Sequence, residues 1–222
     1  MEISVYSTFI NVIEKLKQDE NIKSIIHVGS SKNLISNPNC KVNDIDLFII
    51  VDKQEINQIR KIEIINNIEF DFNYISIKGS YDFIESKTYF FLKIKDGNIL
   101  YDVDNVGKKI LDLCEEKYLE GPDKISLEDK LFQVNQLRCD ISRLKDKNEY
   151  EDFEYDFLIY MYLYKVIKTY YLINDMWIPK DKKLIKSLKN QNPTLYEIVC
   201  NVSGHNKYKK LIKVIDYIFS NL

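Results

Sequence analysis

Residues 24–51 read SIIHVGSSKNLISNPNCKVNDIDLFIIV. The stretch opens with a short, β-branched apolar run, Ser24 to Val28, that ends at Gly29-Ser30. Thirteen residues follow that are rich in Ser and Asn and contain Pro38, the composition of a loop with at most a short helix. The chain then enters Asp44-Ile45-Asp46-Leu47 and stays apolar to Val51. The expected structure is strand, loop, buried strand. Residues i and i+2 of a strand point to the same side, with Cα atoms roughly 6–7 Å apart, so Asp44 and Asp46 present two carboxylates together. Two like charges that close repel unless a cation lies between them. Oxygen donors of this kind suit Mg²⁺, which takes one or two carboxylates and completes its shell with substrate phosphates. Gly29 lets the backbone approach a phosphate closely, and Ser30 adds a hydroxyl and an N–H donor.

Outward from this stretch, helical and strand patterns alternate. Residues 3–18 place Ile3, Phe9, Ile10, Ile13 and Leu16 at helical spacing, and residues 53–62 also read as helix. Residues 68–76 (IEFDFNYIS) alternate as a third strand, with Glu69, Asp71 and Asn73 on one face. Asp71 is the choice for a third carboxylate, to help hold a metal or to take a proton from an acceptor hydroxyl, and Glu69 competes with it. Residues 88–94 and 98–102 flank Asp96-Gly97 as an expected hairpin. A helix is expected over 106–119, stopped near Gly121-Pro122.

From Ser126 onward the pattern is helical almost throughout. Ser126-Leu127-Glu128-Asp129 offers an N-cap with an acid at the third position. Helices are expected at 126–146, 151–174 and 181–189, with one or two over 194–221 and a break at Trp177 to Pro179. The expected class is α+β: a mixed sheet flanked by helices over residues 1–123, and an all-α bundle over 124–222.

Composition bounds what such a chain does. The 222 residues, 45% hydrophobic and 30% charged, describe an ordinary folded protein with enough chain for a sizeable core. A net charge of −2 gives no general attraction to phosphate, so a nucleic-acid partner is not expected without a local basic patch. Cys40, Cys114, Cys139 and Cys200 are scattered and histidines number two, which argues against a zinc site. No apolar run is long enough to span a membrane. The N-terminal MEISVYSTFINVIEKL carries neither a basic leader nor a small-residue cleavage site, so the expected compartment is the cytoplasm, with reduced thiols.

The arrangement of VGS, thirteen residues, DIDLFI and then FDF on a following strand resembles the DNA polymerase β-like nucleotidyltransferase superfamily. The helical second half, with its WIPKDKKL segment, looks loosely like the helical domain of small bacterial kanamycin and streptomycin nucleotidyltransferase-type members. The resemblance implies Mg²⁺-dependent transfer of NMP from an NTP, with ATP the first choice, to a hydroxyl-bearing acceptor such as an aminoglycoside-like antibiotic. It implies that Asp44, Asp46 and Asp71 hold two Mg²⁺ ions, and that Gly29 and Ser30 hold the triphosphate. Small members often carry an Arg shortly after Gly-Ser. Here Ser31-Lys32-Asn33 stands instead, so Lys32 is the substitute, as a point charge without a bidentate fork. Lys183, beside the break at Trp177, is the candidate for a phosphate contact from the second half.

Two other readings use the same residues. In one, the acceptor hydroxyl belongs to a protein, as with a nucleotidylylating antitoxin or regulator. In the other, the chain binds nucleotide without catalysis. His27 reads as packed rather than catalytic. Asp102 and Asp104 also alternate, but they follow no Gly-Ser and read as structural.

Overall fold

Ser4 accepts a hydrogen bond from the Ser7 amide and so starts α1 (Val5–Leu16), which turns Phe9 and Ile13 inward. The computed structural model describes residues 4–38 and 42–220, so Ile3 and Cys40 lie outside the described residues. The chain divides into two compact units, Met1–Glu120 and Gly121–Leu222.

The first unit is built on a mixed sheet. Its strands are β1 (Ile22–Val28), β2 (Asp44–Val51), β3 (Gln58–Ile65), β4 (Ile68–Ser76) and β5 (Asn98–Asp102). Among the described residues their order is β3-β4-β2-β1-β5. β2 and β4 run parallel, and the other neighbours pair antiparallel. Ile45, Leu47 and Ile49 of β2 and Phe70 and Phe72 of β4 share one face and bury against Phe9 and Ile13 of α1. The intervening Asp44, Asp46 and Phe48 therefore point to the opposite face. There the Phe48 ring meets Phe91 edge-on at 6.1 Å, and Ile84, Ile94 and Ile110 are buried.

Three local readings change. Residues 53–62, expected as helix, contribute instead to the edge strand β3. Ile59 and Ile62 stand three apart and imitate a helical stripe. Yet Ile59, Ile62 and Ile64 are all exposed, so no buried face imposes alternation on this strand. What makes it a strand is the turn that follows. Asn66 and Asn67 have φ of 49° and 62°, the left-handed pair of a two-residue hairpin, and they fold β3 back onto β4.

The hairpin expected around Asp96-Gly97 is not formed. Residues Tyr89–Leu92 are a short helix, α3, continued by a 3₁₀ turn over Lys93–Asp96. This buries Phe91, Leu92 and Ile94 together, which an extended strand would leave on opposite sides. Gly97 has an extended backbone and serves close approach: a Cβ there would fall 2.6 Å from Ile26 Cγ2 and 2.9 Å from Val28 Cγ1. The third change is α2 (Ile77–Glu85), capped by Ser76 through the Gly79 amide, in a segment to which the sequence pattern assigned nothing.

α4 (Val106–Glu120) closes the unit and stops at Gly121, whose φ of +82° suits glycine at a helix end. The second unit is helical: α5 (Leu127–Ser142), α6 (Asp152–Ile173), α7 (Asp181–Gln191), α8 (Pro193–Cys200) and α9 (Lys207–Phe219). Ser126 caps α5 through the Asp129 amide and donates its hydroxyl to the Asp129 carboxylate. Val134, Ile141, Ile159, Val166, Tyr171, Leu188 and Leu211 lie in its core. No helix among the described residues is long and apolar enough to cross a membrane.

Candidate active site

The sheet register brings the separated acidic segments together. Asp46 on β2 stands beside Val28, the last residue of β1, and beside Asp71 on β4. Asp44 stands beside Glu69 in the same ladder. Adjacent strands lie about 4.8 Å apart, so Asp44, Asp46, Glu69 and Asp71 make a two-by-two array of carboxylates on one face at one end of the sheet. Asp44 and Asp46 are half-buried, Glu69 is exposed and Asp71 is buried.

Gly29 follows β1 directly and rests on this array. Its φ is +80°, and a Cβ at this position would fall 2.1 Å from Asp46 Oδ2. Only a residue without a side chain lets the backbone lie this close to the carboxylate. Ser30 is exposed beside it. Ser31 is buried, and its hydroxyl hydrogen-bonds His27 Nε2 at 3.0 Å. His27 packs its ring 4.9 Å from Phe9, and its Nδ1 has no partner. Burial lowers the imidazole pKa to about 4, so the ring is neutral at pH 7 and acts as a packed support for the Gly-Ser turn.

Lys32 sits beyond that turn. Its Nζ donates to the Asp96 carbonyl oxygen at 2.8 Å, and its own carbonyl accepts from Asn98 Nδ2 at 2.7 Å. The lysine thereby ties the Gly-Ser loop to the 3₁₀ turn. Lys183 is exposed on α7 of the second unit. Asp102 accepts from the backbone amides of Gly107 at 2.7 Å and Lys108 at 3.1 Å, so it anchors the start of α4. Asp104 takes a left-handed turn conformation, φ 53°.

One residue in contact with the array is not singled out by the sequence pattern. Arg60, on β3, grips Asp71 side-on: Nε lies 2.9 Å from Oδ1 and a terminal guanidinium nitrogen 2.7 Å from Oδ2. Asn73 Nδ2 adds a third donor to Oδ1 at 3.1 Å, and Gln58 in turn donates to Asn73. The Asp71 carboxylate raises the Arg60 pKa, with smaller contributions from Asp46 and Glu69, so the guanidinium feels three of the four carboxylates. Nothing in the local pattern marks Arg60, because β3 lacks alternation and its Ile59–Ile62 spacing imitates a helix.

The donor set fits Mg²⁺ in part. Asp44 and Asp46 supply hard oxygen ligands on one side of a strand, enough for an ion that completes its shell with phosphate oxygens and water. Among the described residues no group of three His, Cys, Asp or Glu side chains stands where it could hold a metal ion. Asp71 is next to the pair, but its oxygens are engaged by Arg60 and Asn73.

No protein-family model matches the sequence, and no curated protein matches it. Among solved structures the chain is similar to a nucleotidyltransferase-like protein from Exiguobacterium sibiricum 255-15, with a TM-score of 0.50 and 9% identity. The match covers 98% of this chain and 75% of that one. The fold is thus a nucleotidyltransferase-like α+β fold: a mixed five-stranded sheet with flanking helices, followed by a helical C-terminal region.

Proposed function

We propose that the chain is a nucleotidyltransferase that moves NMP from an NTP, ATP first, to the hydroxyl of a small acceptor. The observation that carries this reading is the contact of Gly29 with the Asp46 carboxylate beside Asp71: three segments distant in sequence meet at one end of the sheet. The acceptor oxygen forms a bond to the α-phosphorus, the bond from that phosphorus to the bridging oxygen of the β-phosphate breaks, and pyrophosphate leaves. The hydroxyl proton passes to a carboxylate, for which Asp71 is the candidate. Gly29 and Ser30 would receive the triphosphate. Asp44 and Asp46 would hold Mg²⁺, which when bound supplies positive charge to the phosphate oxygens. A second Mg²⁺ requires Asp71 to be released from Arg60. Lys32 keeps two N–H donors beyond its bond to Asp96, and these are its proposed contribution to the triphosphate.

An acceptor with ammonium groups, as an aminoglycoside is, suits the exposed Glu69 carboxylate beside the proposed metal pair. A cytoplasmic location, where nucleoside triphosphates and Mg²⁺ are abundant, suits the same reading. The Arg60 fork on Asp71 favours a second reading, a nucleotide-binding descendant without catalysis. The test is pyrophosphate release with a four-NTP panel, Mg²⁺ and mixed hydroxyl acceptors. Asp44→Asn and Asp46→Asn should each reduce release to background. Unchanged release in both variants would sink the enzyme reading, whereas nucleotide binding with no release in the unmodified chain favours the second.

A further inference from the structure

The Arg60–Asp71 pair joins an exposed partner to a largely buried one. The Arg60 side chain is 60% exposed and rises from the edge strand β3, whereas the Asp71 side chain is 12% exposed on the inner strand β4. Arg60 can therefore leave without disturbing the core, while Asp71 stays beside Asp46. In place, the guanidinium takes both oxygens of the carboxylate that a second cation or an acceptor hydroxyl would need. Arg60 is also the one arginine in residues 1–120; the chain's others are Arg138 and Arg143. The nucleotide end of the first unit thus has a single planar fork able to bind a phosphate bidentately. That fork already lies at the acidic array, and the ammonium of Lys32 is directed to the Asp96 carbonyl.

We propose that Arg60 is a phosphate-responsive latch: without nucleotide it holds Asp71, and the phosphate oxygens of a bound nucleotide take over its guanidinium and release that carboxylate. The exchange replaces one bidentate anion by another, so the arginine keeps charge-assisted hydrogen bonds in both states. Asp71, once released, retains the Asn73 bond and gains room for a cation or a hydroxyl. Cation binding next to Asp71 and nucleotide binding are then coupled through one side chain. This proposal rests on the nucleotidyl-transfer reading.

The test measures binding alone, with the full chain, by titrating Mn²⁺ with electron paramagnetic resonance and α,β-methylene-ATP with calorimetry in the presence of Mn²⁺. Arg60→Gln should bind Mn²⁺ alone about tenfold more tightly than the unmodified chain and the analogue about tenfold more weakly, each the worth of a charge-assisted contact. Asp71→Asn frees the arginine without removing it and should bind the analogue at least as well as the unmodified chain. Arg60→Gln combined with Asp71→Asn leaves no unpaired buried charge; it should fold even where the single arginine variant does not, and still bind the analogue about tenfold more weakly than Asp71→Asn alone. Equal analogue affinity in the double variant and in Asp71→Asn overturns the latch, as does unchanged Mn²⁺ affinity in a folded Arg60→Gln. An unmodified chain that is folded by circular dichroism yet binds no analogue overturns the nucleotidyl-transfer reading and the latch with it.

Discussion

Gly29 lies so close to Asp46 that a methyl group on its Cα would fall 2.1 Å from the carboxylate oxygen Oδ2. This contact joins the end of one strand to the start of the next across the fifteen residues 29–43 that connect them. It also makes the backbone at Gly29 one wall of the acidic array.

Gly29→Ala should therefore fail in two measurable ways. The left-handed φ of +80° costs a non-glycine residue about 1–2 kcal/mol, to be read as a fall in unfolding free energy in urea. The new methyl also displaces the Asp46 carboxylate, so binding of Mn²⁺ with α,β-methylene-ATP should weaken by more than the loss of folded protein explains. Analogue affinity equal to that of the unmodified chain would show that the Gly29–Asp46 contact does not shape the nucleotide site.

His27 should make stability depend on pH. Its folded pKa, about 4, is below the ordinary value of 6.5 because burial penalises the imidazolium. Between these values the unfolded chain binds the proton and the folded chain does not, so stability rises with pH. The contribution is full above about pH 6.5, declines as pH falls through the window, and is lost below about pH 4. Its size is on the order of 3 kcal/mol. Urea unfolding at pH 7 and pH 5 should show a clear loss for the unmodified chain and a flatter response for His27→Gln. Parallel responses would place the pH sensitivity elsewhere.

Asp102 should matter to stability and not to nucleotide. Its carboxylate caps α4 through the Gly107 and Lys108 amides, so Asp102→Ala should cost about 1–2 kcal/mol in urea unfolding. Affinity for α,β-methylene-ATP should stay unchanged. A large loss of affinity in folded Asp102→Ala would mean that this second Asp-x-Asp segment contributes to the site after all.

Much of the first unit is legible in residues 24–76. Strands β1, β2 and β4 follow from apolar runs and alternation, because a strand buried on both faces reads as an apolar run and one buried on a single face repeats every two residues. The long helices α4, α5 and α6 follow from periodicity and from local stops and caps such as Gly121 and Ser126, whose effects act within a few residues. The Gly-Ser and Asp-x-Asp segments, with their spacing and their side of the strand, are likewise properties of the chain alone.

Other features depended on long-range pairing. β3 has no buried face to enforce a pattern, so its strand state comes from the Asn66-Asn67 turn and the ladder with β4. The helical path of residues 89–96 comes from three buried side chains that must reach one core. The partner of Asp71 is decided in the same way. Only the parallel register of β2 with β4 sets Asp71 beside Asp46, and only the β3–β4 hairpin carries Arg60 onto Asp71. By itself the sequence determined the Gly-Ser and Asp-x-Asp part of the candidate chemistry, since residue type and local spacing are written in the chain. The tertiary structure decided that the third carboxylate is held by an arginine, because strand order and register bring together groups that local preferences cannot connect.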